Sequence, residues 1–395
     1  MYLAPSTLVA GPALTLRAIT RRRVIAAMFA AGLVSTVPQL GGIPPRVAAS
    51  SGTPTARRPP PLSQRGINYD VGTEWQFGDS RLVWNDELMR HEIDAIRDDL
   101  HCNAVLVHGT DTGRLIQTAT HALERGLIVW VQPRLMNAQQ STVVANLSEV
   151  AAAVETLRVA YPTVGLNVGV EFGLFTSDII PGVSLESRVD YLIDNLSELP
   201  RFDERLDVFL SRCEAAVSAH FEGATTYSSG EWETVDWSRF DFAGIDLYRD
   251  RYNVDWFADP LRALAASGKP VIVTEFGCCT FVGAEDYGGS GWEVVDYTTD
   301  PPTFKEPLVR SETTQADEVL ALLDIFEAEG VHGAFVYQLI DQGMTHSDDP
   351  SLDLDKANFG IVKTFAEGMG KPTDPSYWEP KEAFLRIAER FAPLA

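Results

Sequence analysis

From residue 65 onward, short apolar runs alternate with longer segments of helical periodicity, and this alternation limits the possible folds more than any other feature. Runs such as LIVWV at 127–131 and VIV at 271–273 have no polar face, which is typical of parallel strands buried on both sides. The segments between the runs are amphipathic, and the first begins at a predicted capping residue, Asn85. The pattern therefore predicts β-α units around a parallel sheet.

Eight such units can be counted, and they close most naturally into a single (β/α)8 TIM barrel. An open, doubly wound sheet is the alternative, but segment 70–75 lacks the G-x-G-x-x-G turn usual after its first strand. Long loops at 277–311 and 341–377 follow strands 7 and 8 and leave the face where barrel active sites form. The predicted strands are Gly66–Tyr69, Ala104–His108, Leu127–Val131, Leu166–Val170, Thr225–Tyr227, Phe242–Leu247, Val271–Thr274 and Gly333–Tyr337.

The N-terminal 49 residues have the pattern of an export signal. Arginines at 21–23 precede a short apolar run at 24–37, and Val47-Ala48-Ala49 offers a small-residue cleavage site. We therefore predict a Tat-type signal peptide at 1–49, a Pro/Ser/Arg-rich linker at 50–64 and one catalytic domain at 65–395. An exported protein, extracellular or associated with the cell envelope, is expected.

Composition narrows the class of partner. The formal net charge of −23 repels nucleic acid and anionic lipid, so a neutral substrate is favoured and stable membrane insertion of the mature domain is not expected.

The four cysteines are expected to be buried thiols, with a disulfide between Cys278 and Cys279 left open. No spacing suggests a metal site, so neither a metal nor a cofactor is predicted. The oligomeric state is left open.

A glutamate directly follows each of two predicted strands. Glu171 follows the fourth strand, and Glu275 follows the seventh. Carboxylates in these positions face each other across the mouth of a barrel, partly removed from water. Such a pair suits glycoside hydrolysis, in which one carboxyl donates a proton and the other attacks the anomeric carbon. The charge of whichever carboxyl is ionised is then expected to oppose the ionisation of the other.

Residues 65–392 resemble the retaining glycoside hydrolases of clan A, and within them family 5. The resemblance rests on Thr274-Glu275-Phe276-Gly277, on strand 6 ending in Tyr248, and on strand 8 ending in Tyr337. It implies that Glu171 is the acid/base and Glu275 the nucleophile of a double displacement. It also implies that Tyr248 orients Glu275 and that Tyr337 occupies the place of the aromatic sugar platform.

Three positions depart from the usual clan pattern. Val170 stands where an asparagine usually precedes the acid/base, Tyr337 replaces a tryptophan, and His108 replaces an arginine near the nucleophile. A narrower resemblance accounts for them: Val170-Glu-Phe-Gly-Leu-Phe and Thr274-Glu-Phe-Gly-Cys-Cys-Thr are similar to an actinobacterial subgroup of family 5. That subgroup includes exo-β-D-galactofuranosidases acting on cell-wall galactan. The resemblance therefore implies a β-D-galactofuranoside substrate.

Further residues are candidates for substrate binding. Some belong to strand ends and others are aromatic residues of predicted rim loops, whose faces could stack on sugar rings. Two other functions remain open: a different clan A glycosidase, such as an arabinofuranosidase or β-glucosidase, and a barrel that binds glycan without hydrolysing it. The binding candidates are Asp70, Trp75, His108, Arg134, Trp232, Trp292 and Tyr337.

Overall fold

The computed structural model describes residues 61–75, 78–371 and 377–393. Within these ranges, eight parallel strands form a closed barrel in which each strand pairs with its neighbours in chain order and the first pairs with the eighth. The predicted (β/α)8 barrel is confirmed, and the strand positions agree within a few residues. Strands 1 to 8 of the barrel are Gln64–Asp70, Ala104–Gly109, Ile128–Pro133, Val164–Val170, Thr225–Ser229, Ala243–Asp246, Val271–Phe276 and Gly333–Val336.

Helices connect the strands and cover the barrel, except that strands 5 and 6 are joined by a loop with the short 3-10 helix Trp237–Arg239. The first begins as predicted, because the Asn85 side chain accepts a hydrogen bond of 2.8 Å from the backbone N–H of Leu88. Its apolar stripe, including Ile93 and Ile96, is buried against the strands. The α-helices are Asp86–Asp98, Thr112–Glu124, Gln140–Ala160, Phe172–Phe175, Leu185–Asp194, Leu199–Ser218, Asp259–Ala265, Glu312–Ala328 and Glu382–Phe391.

The barrel interior is filled by side chains at its N-terminal end. Leu106, Trp130, Ile272 and Phe335 form a buried cluster there, apart from the larger core between strands and helices. Gly165 allows this packing, since a Cβ at this position would lie 2.6 Å from the Trp130 ring. The interior is thus filled at this end, where Trp130 Nε1 also donates to Gln64 Oε1 at 2.9 Å.

Buried ion pairs fix the long loops after strands 7 and 8. Lys381 Nζ lies 2.9 Å from Asp355 Oδ1, and Arg310 Nη2 lies 2.8 Å from Asp355 Oδ2. Arg310 also reaches Asp353 Oδ2 at 3.2 Å. One loop is thereby tied to the other and to the segment before the last helix. Three two-stranded antiparallel sheets add local order: Glu74–Trp75 with Gly78–Asp79, Val295–Asp296 with Thr303–Phe304, and Val362–Thr364 with Trp378–Pro380.

The predicted signal peptide lies outside the described residues, as does most of the predicted linker. The barrel begins slightly before the predicted domain boundary, because Leu62 is buried in the core and Gln64 opens strand 1. All four cysteines are buried free thiols. In the part of the chain that the structure describes, none of the helices has both the length and the apolar character needed to cross a membrane.

Candidate active site

The two glutamates lie at the C-terminal mouth of the barrel, on opposite strands. Glu275 belongs to strand 7, and Glu171 directly follows strand 4. They are 5% and 1% exposed, respectively. Glu171 has a φ of 40°, in the left-handed region, and its backbone N–H donates to the Ser228 carbonyl at 2.9 Å. Since buried carboxylates are costly without partners, the groups around each one define the chemistry of the site.

Glu275 is held by two side chains that reach it from different strands. The guanidinium of Arg134 donates from Nη2 to Oε1 of Glu275, and the Tyr248 hydroxyl lies 3.3 Å from Oε2. Tyr248 thus contacts the glutamate that it is predicted to orient. Arg134 follows strand 3 and was predicted only to contact substrate, whereas it binds the carboxylate of Glu275.

A polar network inside the barrel positions Arg134. Its Nε donates to Gln132 Oε1 at 2.7 Å, and Gln132 Nε2 donates to Ser228 Oγ at 3.0 Å. Asn167 Nδ2 donates to the same Ser228 hydroxyl at 2.7 Å. Burial lowers the pKa of Arg134, but the charges of Glu275, Tyr337, Asp246 and Asp70 together outweigh burial, so that its pKa lies above the usual value. Arg134 therefore stays cationic, and strands 3, 4 and 5 together aim its charge at Glu275.

Across the mouth, His108 lies between an acid and an aromatic ring. Its Nδ1 is 3.6 Å from Asp70 Oδ1, and its ring stacks on Tyr337 with centroids 6.1 Å apart. Burial lowers the pKa of His108 well below its ordinary value, and the charge of Arg134 adds to this, so the imidazole is neutral. Neither ring nitrogen has a hydrogen-bond partner among the residues that the structure describes. A fully buried imidazole with both nitrogens unbonded suits the binding of a ligand hydroxyl.

The predicted rim tryptophans have different surroundings. Trp75 is 36% exposed and packs edge-to-face on Phe175, which lies four residues after Glu171. Trp292 is half-buried against the apolar cluster that includes Tyr248. Trp232 is only 5% exposed and belongs to the main hydrophobic core. Its position therefore does not support the predicted sugar contact, because the turn after strand 5 directs the ring inward.

Two acidic residues near the mouth were missed by the sequence reasoning. Glu233, in the loop after strand 5, is close enough to Glu171 for their charges to interact; burial raises its pKa to about 8, and the charge of Glu171 adds to the rise. Asp341 follows strand 8. Burial raises its pKa to about 6, partly offset by a 2.8 Å hydrogen bond from Gly343 N–H, while the charge of Asp70 adds to the rise. The position of Asp341 shortly after strand 8 is a sequence feature that could have identified it, whereas no sequence feature marks Glu233.

Replacing Asp341 by asparagine is expected to stabilise the protein at neutral pH but not in acid. The folded-state pKa is about 6 and the ordinary value is 3.8, so this carboxyl costs stability as the pH rises through 6. The melting-temperature difference between Asp341→Asn and wild type should therefore grow between about pH 4 and pH 7. Asp348→Asn, which alters an exposed carboxyl of the same loop, is the control. A difference independent of pH would contradict this view of Asp341.

Comparison with known proteins supports the barrel fold and shows no closer relationship. No protein-family model matches the sequence, and no curated protein matches it. Among solved structures, a GH113 β-1,4-mannanase has a TM-score of 0.54 at 14% identity, with 84% of this chain and 99% of that chain covered. The GH113 β-mannanase of Alicyclobacillus acidocaldarius in complex with ManMIm gives 0.52 at 14%, with 83% and 96% covered. A β-glucuronidase from Ruminococcus gnavus gives 0.50 at 12%, with 84% of this chain and 49% of that chain covered. At such identities the likeness establishes the barrel fold alone, and it is a fold that these glycosidases share.

Proposed function

We propose that the protein is a retaining glycoside hydrolase that acts by double displacement. The observation that carries this proposal is the pair of buried glutamates on opposite strands of the mouth, with different surroundings. Glu275 is paired with a permanent cation and a tyrosine hydroxyl, as suits a nucleophile that must be ionised. Glu171 lies on the opposite side of the mouth on a separate turn, as suits a group that gives its proton to the leaving oxygen while Glu275 attacks.

The reaction would proceed in two steps. A carboxylate oxygen of Glu275 attacks the anomeric carbon while the glycosidic bond breaks, and Glu171 gives its proton to the departing oxygen. Water then attacks the same carbon, Glu171 takes the proton of that water, and the bond to Glu275 breaks to release the sugar. Both steps invert the anomeric configuration, so the product keeps the configuration of the substrate. The retaining geometry requires the two carboxyls to be about 5–5.5 Å apart.

For the sugar we propose a β-D-galactofuranoside of a cell-wall or exogenous glycan, on the strength of the family resemblance. Several carboxylates at the mouth favour a neutral sugar. Their charge acts on Tyr337: burial raises the pKa of its hydroxyl above the usual value, and the charges of Glu275, Asp70 and Asp341 raise it further. A uronic acid would meet these carboxylates with like charge. An arabinofuranosidase or β-glucosidase using the same glutamates is the alternative.

The test is hydrolysis of p-nitrophenyl β-D-galactofuranoside beside a panel of other p-nitrophenyl glycosides, with Glu275→Gln as the control. Release by wild type and its loss in the variant would support the enzyme class and the sugar together. Proton NMR of the first-formed product would show a retained anomer. Activity on another glycoside alone would keep the mechanism and change the substrate. Silence across the panel would overturn the hydrolase in favour of glycan binding.

Replacing His108 by phenylalanine is expected to move stability and activity in opposite directions. The substitution keeps an aromatic ring against Tyr337 and removes two buried nitrogens without partners, each costing about 1–3 kcal/mol. The melting temperature should therefore rise, while kcat/KM should fall about 10-fold as a sugar hydroxyl loses its partner. The control is His332→Phe, at the other end of the barrel beside Phe242. Unchanged kcat/KM in His108→Phe would exclude a substrate contact.

The N-terminal segment remains a prediction. We propose that its Tat-type pattern directs export of the enzyme, which would bring it to glycans of the cell envelope or the surroundings. The resemblance to enzymes acting on cell-wall galactan agrees with this destination.

A further inference from the structure

The backbone at Glu171 makes a sharp turn that other residues must hold in place. Glu171 adopts a left-handed conformation, with φ 40° and ψ 49°, which is uncommon for a residue with a side chain. The short helix Phe172–Phe175 begins directly after it. The first N–H groups of a helix have no partners within the helix. The direction of the Glu171 side chain therefore depends on what binds the amides of the next two residues.

Both amides are bound by side chains of strand 5 and the loop that follows it. The N–H of Phe172 donates to the hydroxyl of Tyr227 at 2.7 Å, and the N–H of Gly173 donates to Glu233 Oε1 at 2.8 Å. A glycine is needed there, because a Cβ at position 173 would lie 2.9 Å from that carboxyl oxygen. Two residues from a neighbouring unit thus replace the missing cap of this helix.

Tyr227 and Glu233 also bind each other. The Tyr227 hydroxyl donates to Glu233 Oε2 at 2.8 Å, and the same oxygen accepts from Gly230 N–H at 3.0 Å. Tyr227 is fully buried and its ring stacks on Phe172, with centroids 5.3 Å apart. The turn at Glu171 is therefore fastened at consecutive amides to a carboxyl whose second oxygen is anchored in its own loop.

We propose that Glu233, acting with Tyr227, is a positioning residue that holds Glu171 in the orientation required for proton transfer. The inference rests on the proposed function, because it assigns Glu233 to the acid/base step of that reaction. Glu233 does not exchange protons with the substrate; it fixes the backbone from which Glu171 extends. The two oxygens of Glu233 accept three hydrogen bonds, from Gly173 N–H, Gly230 N–H and the Tyr227 hydroxyl. In glutamine an N–H₂ group, which cannot accept, replaces one of these oxygens, so at least one of the three hydrogen bonds is lost. Misplacement of a catalytic group by about 1 Å can cost about 100-fold in rate.

The experiment compares Glu233→Gln with wild type on two glycosides of the sugar that the panel identifies, one with a methyl and one with a dinitrophenyl leaving group. A methoxide needs a proton as it departs, whereas dinitrophenolate does not. If Glu171 is misplaced, kcat/KM for the methyl glycoside should fall about 30-fold or more, and for the dinitrophenyl glycoside less than about 3-fold. Azide, which attacks the glycosyl-enzyme without a general base, should raise the turnover of the dinitrophenyl glycoside in the variant. Tyr227→Phe should show the same pattern, since it releases the Phe172 amide.

Asp203→Asn is the matched control. Asp203 Oδ1 accepts from the N–H of Thr234, the residue after Glu233, at 3.0 Å, so the variant alters a carboxyl that supports the same loop away from the turn. It should lower kcat/KM equally, if at all, for both leaving groups. An equal fall for both leaving groups in Glu233→Gln, or wild-type kinetics, would overturn the positioning role while the hydrolase stands. If the wild type hydrolyses no glycoside of the panel, the proposed function and this inference are both overturned. That result is obtained with the wild type alone, before any variant is made.

Discussion

Glu275→Gln is expected to lower kcat by at least about 10⁴-fold, the largest effect of any single substitution in this protein. Glutamine keeps the size of the side chain and one oxygen for Arg134 or Tyr248. It loses the negative charge and the nucleophilic oxygen that would form the bond to the sugar. The folded protein should persist, so the loss should be in the chemical step. Steady-state release of p-nitrophenol from the best panel substrate, with a melting curve of each protein, measures it.

Another glutamate–arginine pair, between the buried Glu318 and the half-buried Arg249, provides the control for this prediction. Glu318, on the helix Glu312–Ala328, accepts two hydrogen bonds from Arg249 and is equally buried. Glu318→Gln removes the same kind of charge from the outer layer of the barrel, so it should lower the melting temperature and leave kcat within about 2-fold. If Glu275→Gln retained a tenth or more of the wild-type rate, Glu275 would not be the nucleophile.

Arg134→Gln is expected to lower kcat by about 10²–10³-fold, the second largest effect. The substitution keeps Tyr248 beside the buried Glu275 but removes the cation that Arg134 places against it. Breaking one side of a buried ion pair typically costs about 3–5 kcal/mol, so the melting temperature should fall as well. Arg134→Lys should lie between wild type and Arg134→Gln, because a lysine restores the charge but cannot bind Gln132 and Glu275 with one planar group.

Arg249→Gln is the control for Arg134, since it breaks the Glu318 pair in the same way. Its melting temperature should fall, with kcat nearly unchanged. The two variants should therefore both melt at lower temperature, but only Arg134→Gln should have a much lower kcat, which is measured at saturating substrate. Should Arg134→Gln change only KM, Arg134 would be a substrate contact, as the sequence had suggested, and would not support the nucleophile.

Much of this architecture follows from local sequence. A run such as 127–131 has no polar face, so it must be buried on both sides, and a parallel barrel is the arrangement that does this eight times. Asn85 caps its helix by accepting a hydrogen bond from Leu88 N–H, which is only three residues further along the chain. The placing of Glu171 and Glu275 at the mouth follows from the same logic, because the C-terminal ends of parallel strands share one face.

The partners of those two glutamates were decided by the tertiary structure. Arg134 and Glu275 are 141 residues apart, and their contact depends on the closure of the barrel and on the network through Gln132. The groups that cap Phe172 and Gly173 come from strand 5 and the loop after it, 55 and 60 residues further along the chain, and they carry no sequence motif. Trp232 faces the core for the same reason: the loop after strand 5 turns inward. Periodicity reports which residues are buried on one element, whereas contacts between elements depend on how all eight units close together.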